Sequence, residues 1–430
     1  MDCYAQMLAQ LKRPRAMERF SRLYGALEGK LASQFTRYTQ LVKIHEDIFH
    51  ASHCPLYLIS APGRTEIVGN HTDHNRGQVL AAAVNLDCVA CVTPREDQLV
   101  RIHSQGFPVI ELSLDELEVR PDENGTSAAL VRGVARGMLD HGFRVGGFDA
   151  AITSDVLGGS GLSSSAAYEV LICAILDILY NGFTVEPVLR AQIAQFAENV
   201  YFGKPSGLMD QMASSVGGLV TIDFKAEPDV QPLSFSFREA GYSLVVVNTH
   251  GSHENLTGEY AAVREEMEAV AHFFGEETLR KVRPEKFNQN LGRLKEKLGE
   301  RPVLRAMHFF DENERVKQMV HAIRLNDLCA MFNDVIASGE SSWMLLQNVH
   351  LAGGHQPLSL ALAMAASMLR GKGAWRVHGG GFAGTTLNFV PNEMVDEFVE
   401  RMEAVFGDKA CLVLDVRPEG AALVLSTLDA

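Results

Sequence analysis

Several things are missing from these 430 residues, and each absence removes a class of function. No uninterrupted apolar stretch reaches about 18 residues, so no membrane-crossing helix is expected. The first residues lack an apolar segment after a basic start, so no secretory leader is expected and the cytoplasm is the expected location. Positive charge is scarce: 39 Lys and Arg face 53 Asp and Glu, a net charge of −14. A nucleic-acid partner needs a concentrated basic surface to displace counterions, so none is expected. Cysteines are few and odd in number, seven at positions 3, 54, 88, 91, 173, 329 and 411. That is not a disulfide framework, and they read as reduced. Cys88 and Cys91 lie in the apolar run Val84 to Thr93, which reads as a strand, where positions three apart face opposite sides. The looser set His45, His50, His53 and Cys54 has no second ligand pair at zinc spacing. There is no P-loop spacing, no internal repeat and no low-complexity tract.

What remains, 47% apolar and 21% charged residues, is the composition of an ordinary soluble globular protein with two cores. Residues 1–52 carry intermittent apolar residues at helical spacing and read as a docked helical extension. Residues 53–230 read as a first α+β domain and 231–430 as a second, the change falling where Asp229, Gln231 and Pro232 precede the apolar strand Ser243 to Val247. Helices are expected over Ser127–His141, Ala166–Tyr180, Glu186–Val200, Thr257–Phe274, Asn288–Met307, Glu312–Leu325, Leu328–Ile336 and Pro357–Leu369.

Three polar, glycine-bearing stretches interrupt this pattern. The central one is Gly158, Gly159, Ser160, Gly161, Leu162, Ser163, Ser164, Ser165 and Ala166, a small-residue loop running into an apolar helix. Its glycines allow a tight turn with free N–H groups, and its serines bring hydroxyls to the positive end of that helix, a cradle suited to an anion. The second, Arg64 to Asn75, sets a guanidinium, an amide, imidazoles and carboxylates between two strands, as hydroxyl recognition requires. The third, His378 to Thr386, precedes the strand Leu387–Val390. Glu198, on a helix, leads to Gly207-Leu208-Met209-Asp210-Gln211, which holds a carboxylate at the lip of a core.

Taken in order, these stretches resemble the galactokinase branch of the GHMP small-molecule kinases over about residues 55–430. The first is similar to the signature G-R-x-N-[LIV]-[LIV]-G-E-H-x-D-Y, the second to the nucleotide loop G-x-G-L-S-S-S-A, the third to G-[AG]-G-F-G-G, and Glu198 with 207–211 to the family's E…G-I-M-D-Q. The resemblance implies a two-domain α+β fold, an N-terminal mixed sheet and a C-terminal ferredoxin-like domain, with the site in the cleft. It implies transfer of a phosphoryl group from ATP to the anomeric hydroxyl of a galactose-like sugar, in a monomer or weak homo-oligomer. Gly158 to Ala166 would hold ATP, Ser164 or Ser165 with Glu198 would hold Mg²⁺, Asp210 would be the base and Arg64 would keep it ionised. Sugar contacts carry over to Arg64, Asn70, His71, Asp73, Gly207, Asp210 and Tyr260.

The chain also departs from the pattern. Glu66 stands where the signature has Asn, Asn70 where it has Glu, His74 where it has Tyr, and Ala383 where it has Gly. The family's Glu is implied to meet the sugar's 6-hydroxyl, so Asn70 points to a sugar altered at C6, such as galacturonate or L-arabinose, as an alternative to galactose. A non-catalytic sensor that binds ATP and sugar is the competing class. Retention of Arg64 and Asp210 argues against it.

Overall fold

The near-unbroken apolar run after Gln78 becomes the spine of the protein. It forms a 17-residue strand, β2 (Gln78–Pro94), buried almost throughout. A strand buried on both faces must carry packed layers on each side. The computed structural model describes residues 2–25, 28–156, 161–251, 257–350, 354–382 and 384–429. In it β2 pairs antiparallel with β1 (Tyr57–Val68) on one side and, on the other, with β5 (Phe148–Ser154) through its last residues and β6 (Leu219–Asp223) through its first. With β3 (Leu99–Ser104), β4 (Ile110–Ser113), β7 (Asp229–Leu233) and β12 (Ala422–Ser426) this makes an eight-stranded sheet, mixed because β3 and β5 run parallel.

Alternation sorts the strand residues between two layers. Ile59, Cys88, Ala90, Val92 and Ile152 join the main core with helices α4 (Ser127–Asp140), α5 (Ser164–Tyr180) and α6 (Pro187–Phe196). Leu58, Val89, Cys91, Ala151 and Val424 meet Tyr4, Met7, Phe20, Tyr24 and Tyr38 from three N-terminal helices, α1 (Cys3–Leu11), α2 (Pro14–Tyr24) and α3 (Glu28–Phe49). Cys88 and Cys91 thus face opposite layers, and all seven cysteines are unpaired. The helical extension is a third layer of the fold. His45 is spent on Tyr4 Oη (3.0 Å) and the Asp149 carbonyl (3.2 Å). Among the described residues no cluster of three His, Cys, Asp or Glu could hold a metal, and no helix is long and apolar enough to cross a membrane.

A second sheet contains β8 (Tyr242–Asn248), β9 (Ala374–His378), β10 (Thr385–Pro391) and β11 (Cys411–Leu414) in the order β11-β8-β10-β9, every neighbouring pair antiparallel. With helices between β8 and β9 and one between β10 and β11, this is the ferredoxin-like arrangement. The boundary read at 230/231 falls inside β7, which pairs with β6, and the C-terminal β12 returns to pair with β1. The second sheet therefore lies within 242–414, and the chain end closes the edge of the first sheet.

Between β8 and β9 the helices are α7's successors: after α7 (Met209–Val216) come α8 (Thr257–Phe273), α9 (Pro284–Asn288), α10 (Leu291–Leu298), α11 (Glu300–Leu325), α12 (Leu328–Ser341) and α13 (Pro357–Leu369). The expected helices Asn288–Met307 and Glu312–Leu325 are redistributed. Gly299, at φ 85°, stops α10, and the next helix runs unbroken for 26 residues. The buried face of this helix carries Arg305, His308, Glu312 and Asn313, so no apolar stripe marks it in the sequence.

The extension and the chain end meet at one buried carboxylate in β2. Asp87 accepts from Arg37 (2.6 Å), Arg417 (2.8 Å), Tyr24 Oη (2.6 Å) and Ser60, and Arg37 also reaches Asp155 at 2.9 Å. Burial alone would raise the Asp87 pKa, but Arg37 and Arg417 outweigh it and hold the group below the usual carboxylate range. Its stabilising contribution is therefore present above the unfolded Asp value near 4 and is lost as pH falls through the lower folded value. Asp87→Asn strands the buried Arg417 guanidinium and leaves Arg37 with Asp155 alone, and is expected to cost about 3–5 kcal/mol at neutral pH. Urea unfolding should show this, and the gap from the wild type should close as the pH is brought below about 4.

Candidate active site

Strand β1 shifts register between Pro62 and Arg64 and again between Glu66 and Val68. Such irregularities re-aim side chains, and here the first leaves Gly63 without a partner on β2 while Arg64, opposite Ala83, donates its N–H to the Leu162 carbonyl of the glycine loop. Arg64, only 6% exposed, donates from Nε to Asp210 Oδ1 at 2.6 Å and from Nη1 to the Gly161 carbonyl at 2.5 Å. Ser163 Oγ donates to the other oxygen of Asp210. Asp210 lies in the first turn of α7, where the helix end favours negative charge. Burial pushes its pKa up, but the charge and hydrogen bond of Arg64, with Ser163, prevail and leave it lowered. The fold thus brings Arg64, the serine loop and Asp210 together around one carboxylate.

Asp73 stands beside this pair in a short 3-10 turn (Asp73–Asn75), its Oδ1 accepting the His74 N–H at 2.9 Å. A Cβ at Gly207 would collide with the Asp73 carboxylate, which is why only glycine fits there. Burial, and then the charge on Asp210, push the Asp73 pKa up to about 6. His71 donates from Nε2 to the Gly380 carbonyl at 3.0 Å, which fixes the tautomer and leaves Nδ1 an acceptor. Burial lowers its pKa to about 4, so the ring is neutral. Tyr260 Oη donates to the Gly381 carbonyl (2.8 Å) and its ring packs edge-on against Phe382. His74 packs edge-on against His71 and takes a hydrogen bond from Asn75 at 3.0 Å.

Asn70 departs from the reading made of it. Its side chain, 1% exposed, is turned into the protein, with Nδ2 on Glu66 Oε1 (3.0 Å) and the Gly379 carbonyl (2.8 Å). Its Oδ1 accepts from Ser342 Oγ (3.2 Å) and Asn348 Nδ2 (3.0 Å). No capacity is left for a sugar hydroxyl, so the expected contact is corrected to a structural one.

On the nucleotide side, Gly158, Gly159 and Ser160 lie outside the described residues. Gly161 (φ 74°) and Ser163 (φ 58°) both adopt left-handed backbone just before α5, and Leu162 O accepts the Arg64 N–H at 3.1 Å. The unpaired N–H groups of Ser164, Ser165 and Ala166 open the helix. Glu198 sits on a single π-helical turn (Ala197–Phe202) that follows α6, a distortion often found at functional sites. It accepts from Ser165 Oγ (3.0 Å), Lys204 Nζ (2.8 Å), Ser206 Oγ (2.5 Å) and Gln211 Nε2 (2.8 Å). Ser165, rather than Ser164, is therefore the serine paired with Glu198, and the two supply hard oxygens of the kind Mg²⁺ takes beside phosphate.

Sequence reasoning passed over several groups. Lys204, in Gly203-Lys204-Pro205, gave a signal as a cation among turn residues. Asn348 and Arg376 gave none, because Asn348 lies far from any motif and Arg376, just before the third stretch, is read as a strand residue whose partners only the fold reveals.

Two family models match the chain: the galactokinase galactose-binding signature over residues 43–94, and the GHMP kinases N terminal domain over 129–218. A galactokinase from Glaesserella parasuis serovar 5 is 33% identical over 81% of this chain and 88% of its own length. Another, from Streptomyces coelicolor, is 31% identical over 84% and 92%. Among solved structures, Lactococcus lactis galactokinase complexed with galactose superposes with a TM-score of 0.76 at 25% identity, covering 88% of this chain and 98% of that one. A mevalonate kinase shares the fold, with a TM-score of 0.60 at 14% identity over 84% and 98% of the two chains. Coverage of most of both sequences, with the matched segments holding Arg64, the serine loop and Asp210, makes this chain a member of the galactokinase family of the GHMP kinases.

Proposed function

We propose that the protein is an ATP-dependent sugar 1-kinase that phosphorylates the anomeric hydroxyl of galactose. The observation that carries this reading is the Arg64–Asp210 pair at 2.6 Å, set between the serine loop and Asp73. Asp210 accepts the proton of the attacking hydroxyl. A carboxylate held below its usual range is a weak base, so it takes that proton late, once bonding to phosphorus has made the hydroxyl acidic. Arg64 keeps Asp210 ionised and offsets charge on the transferring group. His71 Nδ1 and Asp73 accept sugar hydroxyls. The N–H groups that open α5, with Lys204, hold phosphate oxygens. Mg²⁺ held by Ser165 and Glu198 would neutralise charge shared between phosphates. Unpaired cysteines support a reducing compartment, the cytoplasm, where the protein acts as a monomer or weak homo-oligomer.

Asp210→Asn is expected to lower kcat by about 100-fold or more while ATP affinity, read by calorimetry, changes little. A sensor without turnover has no sugar-dependent ADP release to lose, and such a result for the wild type would sink the kinase reading.

Asp73 gives a pH signature. Below about 6 it gains a proton and loses the charge that strengthens its bond to a sugar hydroxyl, so the KM for galactose should rise as pH falls through that value. A carboxyl raised in the folded state costs stability above the unfolded value near 4, and the cost is fully present at pH 7. Asp73→Asn should therefore flatten the limb near pH 6, weaken sugar binding and raise the melting temperature. A limb that persists in the variant would assign it elsewhere.

A further inference from the structure

Two of the departures from the galactokinase signature involve the same pair of residue types. The signature carries an amide where this chain has Glu66 and a carboxylate where it has Asn70. In the structure the two side chains touch, Asn70 Nδ2 donating to Glu66 Oε1 at 3.0 Å and Oε2 at 3.2 Å, with neither more than 2% exposed. Glu66 Oε1 also accepts from Arg376 Nη2 at 2.7 Å, and Arg376, fully buried in β9, donates from Nη1 to the Ile67 carbonyl at 2.8 Å. In this small buried site Arg376 and Glu66 are in direct contact, and Arg64 and Glu312 act on Glu66 from further off with charges of opposite sign. A second carboxylate would face the first without a counter-ion, and two amides would leave Arg376 uncompensated. One anion is required, and the contact between the side chains allows either position to supply it.

The amide has work of its own at position 70. Asn70 holds the Gly379 carbonyl, His71 and Asn348 hold the Gly380 carbonyl at 3.0 and 3.1 Å, and Tyr260 holds that of Gly381 at 2.8 Å. Three consecutive carbonyls of the loop after β9 are thus fixed to groups on the sugar side, and the carbonyl of Gly380 sets the tautomer and direction of His71. From the other flank, α11 braces the same turn: His308 Nε2 donates to the Asn70 carbonyl at 2.8 Å, and Glu312 accepts the Gly69 N–H at 2.9 Å.

We propose that Glu66 and Asn70 are a transposed pair, in which Glu66, acting through Arg376 and Asn70, is a positioning residue that fixes the Gly379–Gly381 carbonyls and thereby His71 against the acceptor sugar. Residue 70 consequently does not choose the sugar, because its amide is spent inside the protein. The proposal rests on the sugar-kinase reading, but its coupling is measurable without turnover.

The test is a double-mutant cycle of Glu66→Asn, Asn70→Glu and the combined exchange, with Glu66→Gln as a neutral variant of the same shape. Thermal unfolding of the protein alone is read beside KM for galactose and for ATP. Each single exchange should lower the melting temperature and raise the galactose KM by about 10-fold or more, with the ATP KM within about 2-fold. The combined exchange should recover melting temperature relative to the single exchanges, or fold where a single exchange does not, while the galactose KM stays raised, because a carboxylate at 70 cannot donate to the Gly379 carbonyl. Glu66→Gln, which also leaves Arg376 uncompensated, should lower the melting temperature and raise the galactose KM with the ATP KM within about 2-fold. The preference for galactose over galacturonate should move by less than about 3-fold in every variant. A combined exchange as unstable as the singles taken together, or unable to fold, overturns the transposition. An unchanged galactose KM in Glu66→Gln overturns the positioning role, and a sugar preference that follows residue 70 overturns its exclusion from recognition. If the wild type phosphorylates no sugar, the functional reading fails instead, and the coupling in thermal stability still decides the transposition.

Discussion

The ion pair between Arg64 and Asp210 is the contact on which the site depends. It joins the bulged strand β1 to the first turn of α7, and through Ser163 and the Gly161 carbonyl it includes the mouth of α5. A guanidinium and a carboxylate taken out of water are costly apart, so the pair holds its segments in one relation or not at all. The charge balance then spreads outward. Asp210 remains an anion because Arg64 faces it, and Asp73, beside that anion without a cation of its own, is driven toward neutrality. Two carboxylates from the same pocket are pushed in opposite directions, which suits one to receive a proton and the other to grip a hydroxyl.

Buried charge recurs wherever this fold joins distant parts of the chain. Asp87 gathers Arg37 from the N-terminal extension and Arg417 from the C-terminal segment, and Glu66 ties β1 to β9 through Arg376. Such pairs add little net stability over apolar packing, but a wrongly seated segment would leave a buried charge unpaired. They therefore enforce register. The extension gains a definite place by this means, since Arg37 also reaches Asp155, three residues before the serine loop.

Much of this was legible in the sequence because motif residues are local. Arg64, on β1, lies close in sequence to His71 and Asp73, the serine loop carries its own glycines, and β2 reads as a double-sided buried strand from its composition alone. The misreading of Asn70 has a plain cause. A motif gives the order of residues but not the direction of a side chain, and the groups that claim this amide come from positions 66, 342, 348 and 379. Likewise β7 and β12 could not be placed by pattern, because which sheet a short strand joins is decided by the edge left open to it. The running together of the expected helices in α11 was not legible in the sequence because its buried face holds polar residues, Arg305, His308, Glu312 and Asn313, where an apolar stripe would mark a helix.

The central claim is that Asp210, held by Arg64, serves a sugar hydroxyl at the anomeric carbon and no other. The most direct measurement is phosphorus and proton NMR of the product formed from ATP, Mg²⁺ and galactose. The galactokinase reading predicts a single α-configured sugar phosphate in which the phosphorus couples to the anomeric proton. Phosphate on any other hydroxyl, or ADP released with no sugar phosphate formed, would contradict the account.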